Sequence, residues 1–188
     1  MVRVVAGRFR GRRLRAAKAP GLRPTADRVK EALFSILGGL LDHAEVVDLY
    51  AGTGALGIEA LSRGAARVTW VERDPALAAL VRENLASLGV AEPSPEARLV
   101  RGPADAFLAR LAPGPRLVLL ADPPYDVGAP GLLRWLASHP RGYAAAVLEH
   151  PAGESPGDEL AGRARADRRT YGNVGLTVFT PIANLREG

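Results

Sequence analysis

Four consecutive residues in the second half of the chain combine groups that could act on an amino group. Asp122-Pro123-Pro124-Tyr125 follows the apolar run 117–121, which is typical of a buried strand. An amino group conjugated to an aromatic ring is a poor nucleophile, and a site that uses it needs acceptors for its two N–H bonds. The Asp122 carboxylate and a proline carbonyl are such acceptors, the prolines restrict the backbone, and Tyr125 can stack on the ring. The segment therefore favours chemistry at the amine of a nucleobase.

A glycine-rich turn upstream is the second feature that could bind a ligand. Gly52, Gly54 and Gly57 follow an apolar strand, and this spacing, with Glu72 about 20 residues on, also fits a nicotinamide dinucleotide fingerprint. Asp48, four residues before Gly52, favours S-adenosylmethionine instead. Its carboxylate can meet the amino acid end of that molecule, directly or through water, whereas it would repel a pyrophosphate. The turn predicts a methyl-donor site, with a dinucleotide site as the alternative.

Further donor-site candidates end or follow neighbouring strands. Glu72 ends the predicted strand 67–72 and can accept hydrogen bonds from ribose hydroxyls, although a solvated strand-end acid is the alternative. Gly52 and Gly54 let the backbone approach the methionine portion closely. Tyr50 could flank the donor pocket or fill it. Asp105 could bind the adenine amino group, and N-capping of the following helix explains it about as well.

Composition limits the class of protein. The chain has 188 residues, 47% hydrophobic and 24% charged, which suits one globular α/β domain. It contains no cysteine, which excludes disulfides and thiolate catalysis, and its three histidines lack metal-ligand spacing, so we expect no metal. No apolar run approaches the length of a membrane span. The N-terminus lacks the apolar core of a signal peptide, and we expect a cytoplasmic protein.

Positive charge is concentrated at the N-terminus. Residues 1–30 carry ten arginines and lysines against Asp27 alone, whereas the chain as a whole has a net charge of +5. This asymmetry is typical of a nucleic-acid partner, with a solvated tail as the alternative. The segments 2–6 and 12–16 predict a two-stranded ribbon around a glycine-containing turn. We expect this arm, residues 1–22, to bind RNA and to be removable without disturbing the donor pocket.

Strands and helices alternate through the remainder of the chain. This pattern predicts an α/β fold with a doubly wound, mostly parallel sheet, closed by a C-terminal antiparallel hairpin. Thr25 or Asp27 is a candidate N-cap for a first helix that Gly38-Gly39 ends. The predicted strands are 46–50, 67–72, 97–101, 117–121, 144–150, 168–171 and 174–180, and the later helices are 57–62, 75–88, 105–111 and 131–138.

Several segments together resemble one enzyme family. They read Arg23-Pro24-Thr25-Ala26-Asp27-Arg28 through Phe34, Asp48 through Ala65, Glu72-Arg73-Asp74 and Asp122 through Tyr125. The chain is similar to the bacterial 16S ribosomal RNA guanine-N2 methyltransferases of the RsmD type, over nearly its full length. The opening 4–14 and the late Tyr171-Gly172-Asn173 also fit that family.

The resemblance implies an activity and a set of residues. The activity is transfer of a methyl group from S-adenosylmethionine to the exocyclic N2 amine of one guanine in 16S ribosomal RNA, by a monomer that acts on the rRNA or the small ribosomal subunit. The fold is a Rossmann-like, seven-stranded methyltransferase sheet over residues 23–188, preceded by the basic ribbon. The implied catalytic residues are Asp122, Pro123, Pro124 and Tyr125; the cofactor-binding residues are Asp48, Tyr50, Gly52, Thr53, Gly54, Gly57, Glu72, Arg73 and Asp105; and the RNA-binding residues are Arg8, Arg10, Arg12, Arg13, Arg23, Thr25 and Arg28. One departure is Pro103, which stands near where the family often carries a polar contact to adenine.

Two other functions fit parts of the pattern. A DNA adenine-N6 methyltransferase could use the same four-residue segment, but such enzymes usually carry a larger target-recognition region, and none is visible in 188 residues. A non-catalytic nucleic-acid-binding protein would use the basic arm alone, and the joint presence of Asp48, Glu72 and Asp122 argues against it. For either methyltransferase, we expect the amine to attack the methyl group in line. The base that carries this amine must first leave its stack, which favours RNA loops or junctions.

Overall fold

A computed structural model describes residues 2–16 and 27–182. A small antiparallel ribbon is followed by one seven-stranded sheet with the strand order β5-β4-β3-β6-β7-β9-β8. The ribbon strands are β1 (Val2–Arg3) and β2 (Arg13–Leu14), and the sheet strands are β3 (Glu45–Leu49), β4 (Arg67–Glu72), β5 (Ala97–Arg101), β6 (Leu117–Ala121), β7 (Ala145–Pro151), β8 (Ala164–Tyr171) and β9 (Val174–Pro181). The predicted α/β class and mostly parallel sheet are confirmed.

Strands β3 to β7 are parallel, and the last two strands form the antiparallel hairpin. Strand β9 inserts between β7 and β8 and is antiparallel to both. The parallel strands are apolar on both faces because helices cover both faces. In β6, for example, Val118 and Leu120 contribute to one hydrophobic cluster and Leu119 and Ala121 to the other.

Within residues 27–182, five α-helices form the two outer layers. On one face of the sheet lie α1 (Asp27–Leu37), α2 (Ala55–Ser62) and α3 (Pro75–Ser87), and on the other lie α4 (Ala104–Leu108) and α5 (Pro130–Ser138). The start of α3 is encoded locally: the Asp74 side chain accepts hydrogen bonds from the backbone N–H groups of Ala76 and Leu77, and Pro75 occupies the first helical position. No helix within the described ranges is long and apolar enough to cross a membrane.

Element ends differ from the predictions in several places. Helix α4 ends at Leu108 because residues 110 and 111 bond three residues back, in a tighter turn, before the proline-rich loop. Strand β8 begins at Ala164 because it pairs with β9 along its whole length. The ribbon strands are two residues each rather than five. The predicted N-cap Thr25 lies outside the described residues.

The ribbon packs into the body of the protein. Val2, Val4 and Leu14 are buried in the same hydrophobic cluster as α1, α2 and α3. Buried Glu59 of α2 accepts the backbone N–H groups of Val5 and Ala6 at 2.7 and 2.9 Å. Removal of the arm would therefore expose core residues of the α/β body, and the expectation that it leaves the donor pocket undisturbed does not allow for this packing.

Candidate active site

The sheet places three acidic residues at one point. Strand β3 is central, and the chain runs from it outward through β4 and β5 before returning to β6 on its other side. Ligands bind outside the carboxyl ends of the strands where the strand order reverses in this way. Asp48 lies near the end of β3, Glu72 ends β4, and Asp122 directly follows β6. Asp122 and Glu72 are close enough to Asp48 to influence its ionisation.

The glycine-rich turn is held from beneath by a tryptophan. The Trp70 indole Nε1 donates to the Gly54 carbonyl at 3.1 Å. A Cβ atom on Gly57 would overlap the same indole, so only glycine fits there. Gly52 and Gly54 both have positive φ angles, 56° and 79°, which side-chain-bearing residues rarely adopt. Trp70 therefore packs against the turn and explains the glycine at position 57.

Asp48 is a buried carboxylic acid beneath this turn. It is 1% exposed, and its Oδ2 accepts the Gly57 N–H at 2.8 Å. Burial raises the pKa of Asp48 well above its ordinary value, the Gly57 N–H opposes that rise, and the negative charges of Asp122 and Glu72 add to it. A cation brought next to Asp48 would therefore be stabilised strongly, which suits the ammonium group of an amino acid.

Glu72 links the glycine-rich turn to the start of α3. Its Oε2 accepts the Gly52 N–H and its Oε1 accepts the Asp74 N–H, both at 2.8 Å. Glu72 is 6% exposed, so the alternative of a solvated strand-end acid is wrong. Since each carboxylate oxygen has about two acceptor positions, both oxygens can still accept a hydroxyl of a diol.

Tyr50, Arg73 and Asp105 form a second group beside the turn. Tyr50 is half-buried and has a φ of 60°, a strained conformation for a large residue and one that occurs mostly at functional sites. Burial raises the pKa of the Tyr50 hydroxyl, the charge of Asp105 raises it further, and Arg73 lowers it. These three residues, predicted from separate segments, are therefore neighbours in the fold.

Asp105 does not cap the helix that contains it. The N-cap position of α4 is Pro103, and Asp105 lies in the first turn, so the N-cap alternative is wrong. Its carboxylate pairs with Arg134 of α5 at 3.2 Å and lies so close to Gly131 that a Cβ there would overlap it. Asp105 thus joins the starts of α4 and α5 near the site, while its contact with adenine stays a prediction.

The Asp122–Tyr125 segment directly follows β6 and runs from buried Pro123 to exposed Tyr125. Asp122 is half-buried, and Tyr125 is 41% exposed and does not belong to the core. The Pro124 carbonyl already accepts the N–H groups of Val127 and Gly128 at 2.9 and 3.1 Å. Of the two proline carbonyls, that of Pro123 is therefore the better acceptor for a substrate amine.

Sequence reasoning missed a second acid beside Asp122. Leu148 of β7 pairs with Ala121 of β6, so Glu149 lies next to Asp122, where β7 continues beyond the end of β6. Glu149 is 6% exposed. An acid directly after the apolar run 144–148 marks this position in the sequence. Its role could not be predicted because it depends on which strand lies beside β6.

The ribbon arginines divide into two kinds. Arg8 pairs with Glu96 at 2.8 Å, and Arg12 donates to the carbonyl oxygen of Ser87, so both are bound to the body of the protein. Arg10 and Arg13 are exposed, and no ion pair is found for them within the described ranges. These two are the better candidates for phosphate contacts.

Of the remaining predicted RNA contacts, Arg28 is exposed on the first turn of α1. Arg23 and Thr25 lie outside the described residues.

The fold is that of a methyltransferase. Over 97% of the chain and 99% of the other protein, the structure superposes with a TM-score of 0.77 and 30% identity on an Escherichia coli protein provisionally assigned as a methyltransferase. A hypothetical protein of Thermus thermophilus matches equally well, with a TM-score of 0.77 and 29% identity over 97% of this chain and all of that one.

The family follows from the sequence match. Residues 2–180 match the family model described as conserved hypothetical protein 95, and the chain belongs to that family. Ribosomal RNA small subunit methyltransferase D of Escherichia coli K12 is 42% identical over 127 residues, which are 68% of this chain and 62% of that protein. The alignment thus spans less than two thirds of this curated relative.

Proposed function

We propose that this protein transfers a methyl group from S-adenosylmethionine to the exocyclic N2 amine of a guanine in 16S ribosomal RNA. The observation that carries the proposal is the convergence of Asp48, Glu72 and Asp122 around the glycine-rich turn at the reversal of strand order. The likeness to a small-subunit rRNA methyltransferase supports the choice of substrate.

The residues around the turn fit the methyl donor chemically. Asp48 faces the ammonium group of its methionine portion, and Glu72 accepts from the two ribose hydroxyls. Gly52 and Gly54, which lack Cβ atoms, admit the ligand close to the backbone. Tyr50, Arg73 and Asp105 border the adenine side of the same pocket. The donor supplies a methyl group on a positively charged sulfur.

The Asp122–Tyr125 segment holds the acceptor base. Asp122 and the Pro123 carbonyl accept the two N–H bonds of the guanine amine, which directs the nitrogen lone pair at the methyl carbon. Tyr125 and exposed Val127 give the base an apolar surface once it has left its stack.

Positioning of the two reactants accounts for most of the expected acceleration. The amine nitrogen forms its new bond to carbon as the carbon–sulfur bond breaks, and it then loses one proton, to Asp122 or to water. Asp122 offsets the positive charge that grows on nitrogen. Juxtaposing two reactants in this way is worth up to about 7–11 kcal/mol in well-oriented cases.

The ribbon supplies the RNA contact in this proposal. Residues 1–22 hold the phosphate backbone through Arg10 and Arg13, and residues 23–188 carry the methyl transfer. The substrate is free 16S rRNA or the small ribosomal subunit, the protein acts as a monomer, and it resides in the cytoplasm, where ribosomal RNA is found.

A methyl-transfer assay tests the function directly. The full chain is incubated with methyl-labelled S-adenosylmethionine and, separately, unmodified 16S rRNA, small ribosomal subunits, or duplex DNA. We expect label on an RNA guanine, with the product N2-methylguanine identified by nucleoside analysis. Label on adenine in DNA, or no label on either RNA substrate, would contradict the proposal.

A further inference from the structure

One buried amide joins the N-terminal ribbon to the glycine-rich turn. Asn84 lies in α3 and has no exposed surface. Its Nδ2 donates to the Thr53 carbonyl at 2.9 Å and to the Arg15 carbonyl at 3.1 Å, while its Oδ1 accepts the Arg15 N–H at 2.8 Å. A single side chain thus uses both of its N–H bonds and its oxygen to connect segments that are far apart in sequence.

On the side of the turn, Asn84 binds a peptide group that is flanked by two glycines. Thr53 lies between two glycines of positive φ, which tolerate many backbone conformations. The N–H of Gly52 is bound by Glu72, and the carbonyl of Gly54 is bound by Trp70. The Thr53 carbonyl lies between these two points and is held by Asn84, which belongs to neither of the strands that support the turn.

On the side of the ribbon, Asn84 holds the residue that directly follows β2. Both backbone groups of Arg15 bind to it, so the end of the ribbon cannot shift without breaking these bonds. Arg13, which pairs with Arg3 across the ribbon, and Arg10, in the turn, are exposed on the same small unit.

We propose that Asn84 is a positioning residue that couples RNA binding at the ribbon to donor binding at the glycine-rich turn. The inference rests on the proposed function, since it requires RNA to contact the ribbon. RNA that holds the ribbon against α3 stabilises the Asn84 bonds and, through them, the turn conformation that binds the donor. The coupling is reciprocal, so a bound donor also raises the affinity for RNA.

The test compares donor affinity with and without RNA. S-adenosylhomocysteine, which cannot transfer a methyl group, is titrated by equilibrium dialysis against the full chain, alone and with saturating 16S rRNA. The ratio of the two dissociation constants measures the coupling. We expect the natural chain to bind S-adenosylhomocysteine at least about fivefold more tightly with RNA than without it, which is within the usual range of such couplings.

Two substitutions and one matched control assign the coupling to Asn84. Asn84→Asp keeps an acceptor for the Arg15 N–H and loses the donor to Thr53, and Asn84→Ala loses all three bonds. We expect the ratio to fall to about one in both. Glu83→Ala is the control, because it breaks the exposed Arg15–Glu83 pair, also between ribbon and α3, without touching the turn. It should keep the ratio of the natural chain.

The outcomes are distinguishable from failure of the proposed function. If Asn84 had only a structural role, its substitution would weaken the binding of S-adenosylhomocysteine equally with and without RNA. The ratio would then stay that of the natural chain, which would overturn the coupling. If Asn84→Ala does not fold, as judged by its thermal unfolding, Asn84→Asp alone decides. Absence of RNA methylation by the natural chain would contradict the proposed function. Methylation with a ratio of one in that chain would contradict only the coupling.

Discussion

The ionisation of Asp48 depends on its burial in the folded structure. Burial raises the pKa of Asp48 above its ordinary value of 3.8. Its contribution to stability is therefore fully present below pH 3.8 and is lost as pH rises through the folded-state pKa. Asn at this position keeps an acceptor for the Gly57 N–H and does not ionise.

We expect Asp48→Asn to become more stable relative to the natural chain as pH rises from about 4. Urea denaturation over a pH series measures the difference in unfolding free energy. A difference that does not change with pH would show that Asp48 is ionised without penalty. The same variant should bind S-adenosylhomocysteine more weakly, because the carboxylate that faces the ammonium group is gone.

The Asp122→Ala substitution should affect the part of the site that binds the acceptor base and leave the part that binds the methyl donor intact. We expect methyl transfer to fall by about 100-fold or more, because the amine loses its charged acceptor. The affinity for S-adenosylhomocysteine, measured by calorimetry, should stay within a few fold. The matched control is Asp126→Ala, an exposed acid in the same loop, which should retain transfer. An active Asp122→Ala would remove the proposed mechanism.

Glu72→Ala should act on the donor side instead. We expect S-adenosylhomocysteine to bind more weakly by about 1.5–3 kcal/mol, since a charged acceptor for the ribose is lost. Glu45→Ala, at the opposite end of β3 and exposed, is the control for loss of a strand acid. Unchanged affinity in Glu72→Ala would mean that Glu72 binds the backbone of Gly52 and Asp74 and makes no contact with the donor.

At the scale of elements, the ribbon and α2 form a close backbone contact. The Arg8 N–H donates to the Ser62 carbonyl at 2.8 Å, and the Ser62 Oγ accepts the Phe9 N–H at 2.9 Å. A Cβ on Gly7 would overlap the Ser62 carbonyl, whereas a Cβ on Gly11 would meet nothing within 4 Å. Both glycines have φ near 80°, so they differ only in their surroundings.

This pair offers a matched test of ribbon docking. Gly11→Ala should lose about 1–2 kcal/mol of unfolding free energy, the cost of a left-handed conformation. Gly7→Ala should lose an additional ~1–3 kcal/mol, because the ribbon must also move away from α2. Urea denaturation measures both. Equal losses would mean that the ribbon is not held against α2 in solution.

At the scale of the whole molecule, positive charge is concentrated on the ribbon, and acids lie around the glycine-rich turn. If Arg10 and Arg13 contact phosphates, each substitution by Ala should reduce the slope of log K against log salt by about 0.7 for a single strand. Filter binding of 16S rRNA over a salt series measures the slope. Substitution by Lys, which keeps the charge, should preserve it. An unchanged slope in the double Ala variant would place the RNA on another surface.

Motifs made of contiguous residues could be predicted because the structure of each depends on residues that are close in sequence. The apolar run before Asp122, the glycine spacing after β3 and the alternation of strands and helices each depend on neighbouring residues. Asp48, Glu72 and Asp122 were predicted at strand ends, and the rule that parallel strands share a carboxyl edge then brought them together. The structure confirms this convergence.

The sequence by itself determined the class of sheet and placed Asp48, Glu72 and Asp122 on its strands or directly after them, because chain order and periodicity restrict parallel topologies strongly. Only the tertiary structure decided what the ribbon touches, which arginines are paired within the protein, and why Asn84 and Glu59 are polar within buried helix faces. Several of those features depend on contacts between residues more than 50 positions apart, such as Arg15 with Asn84 and Val5 with Glu59. Local patterns carry no information about such partners, since a buried amide or carboxylate is explained only by the backbone groups that fold against it.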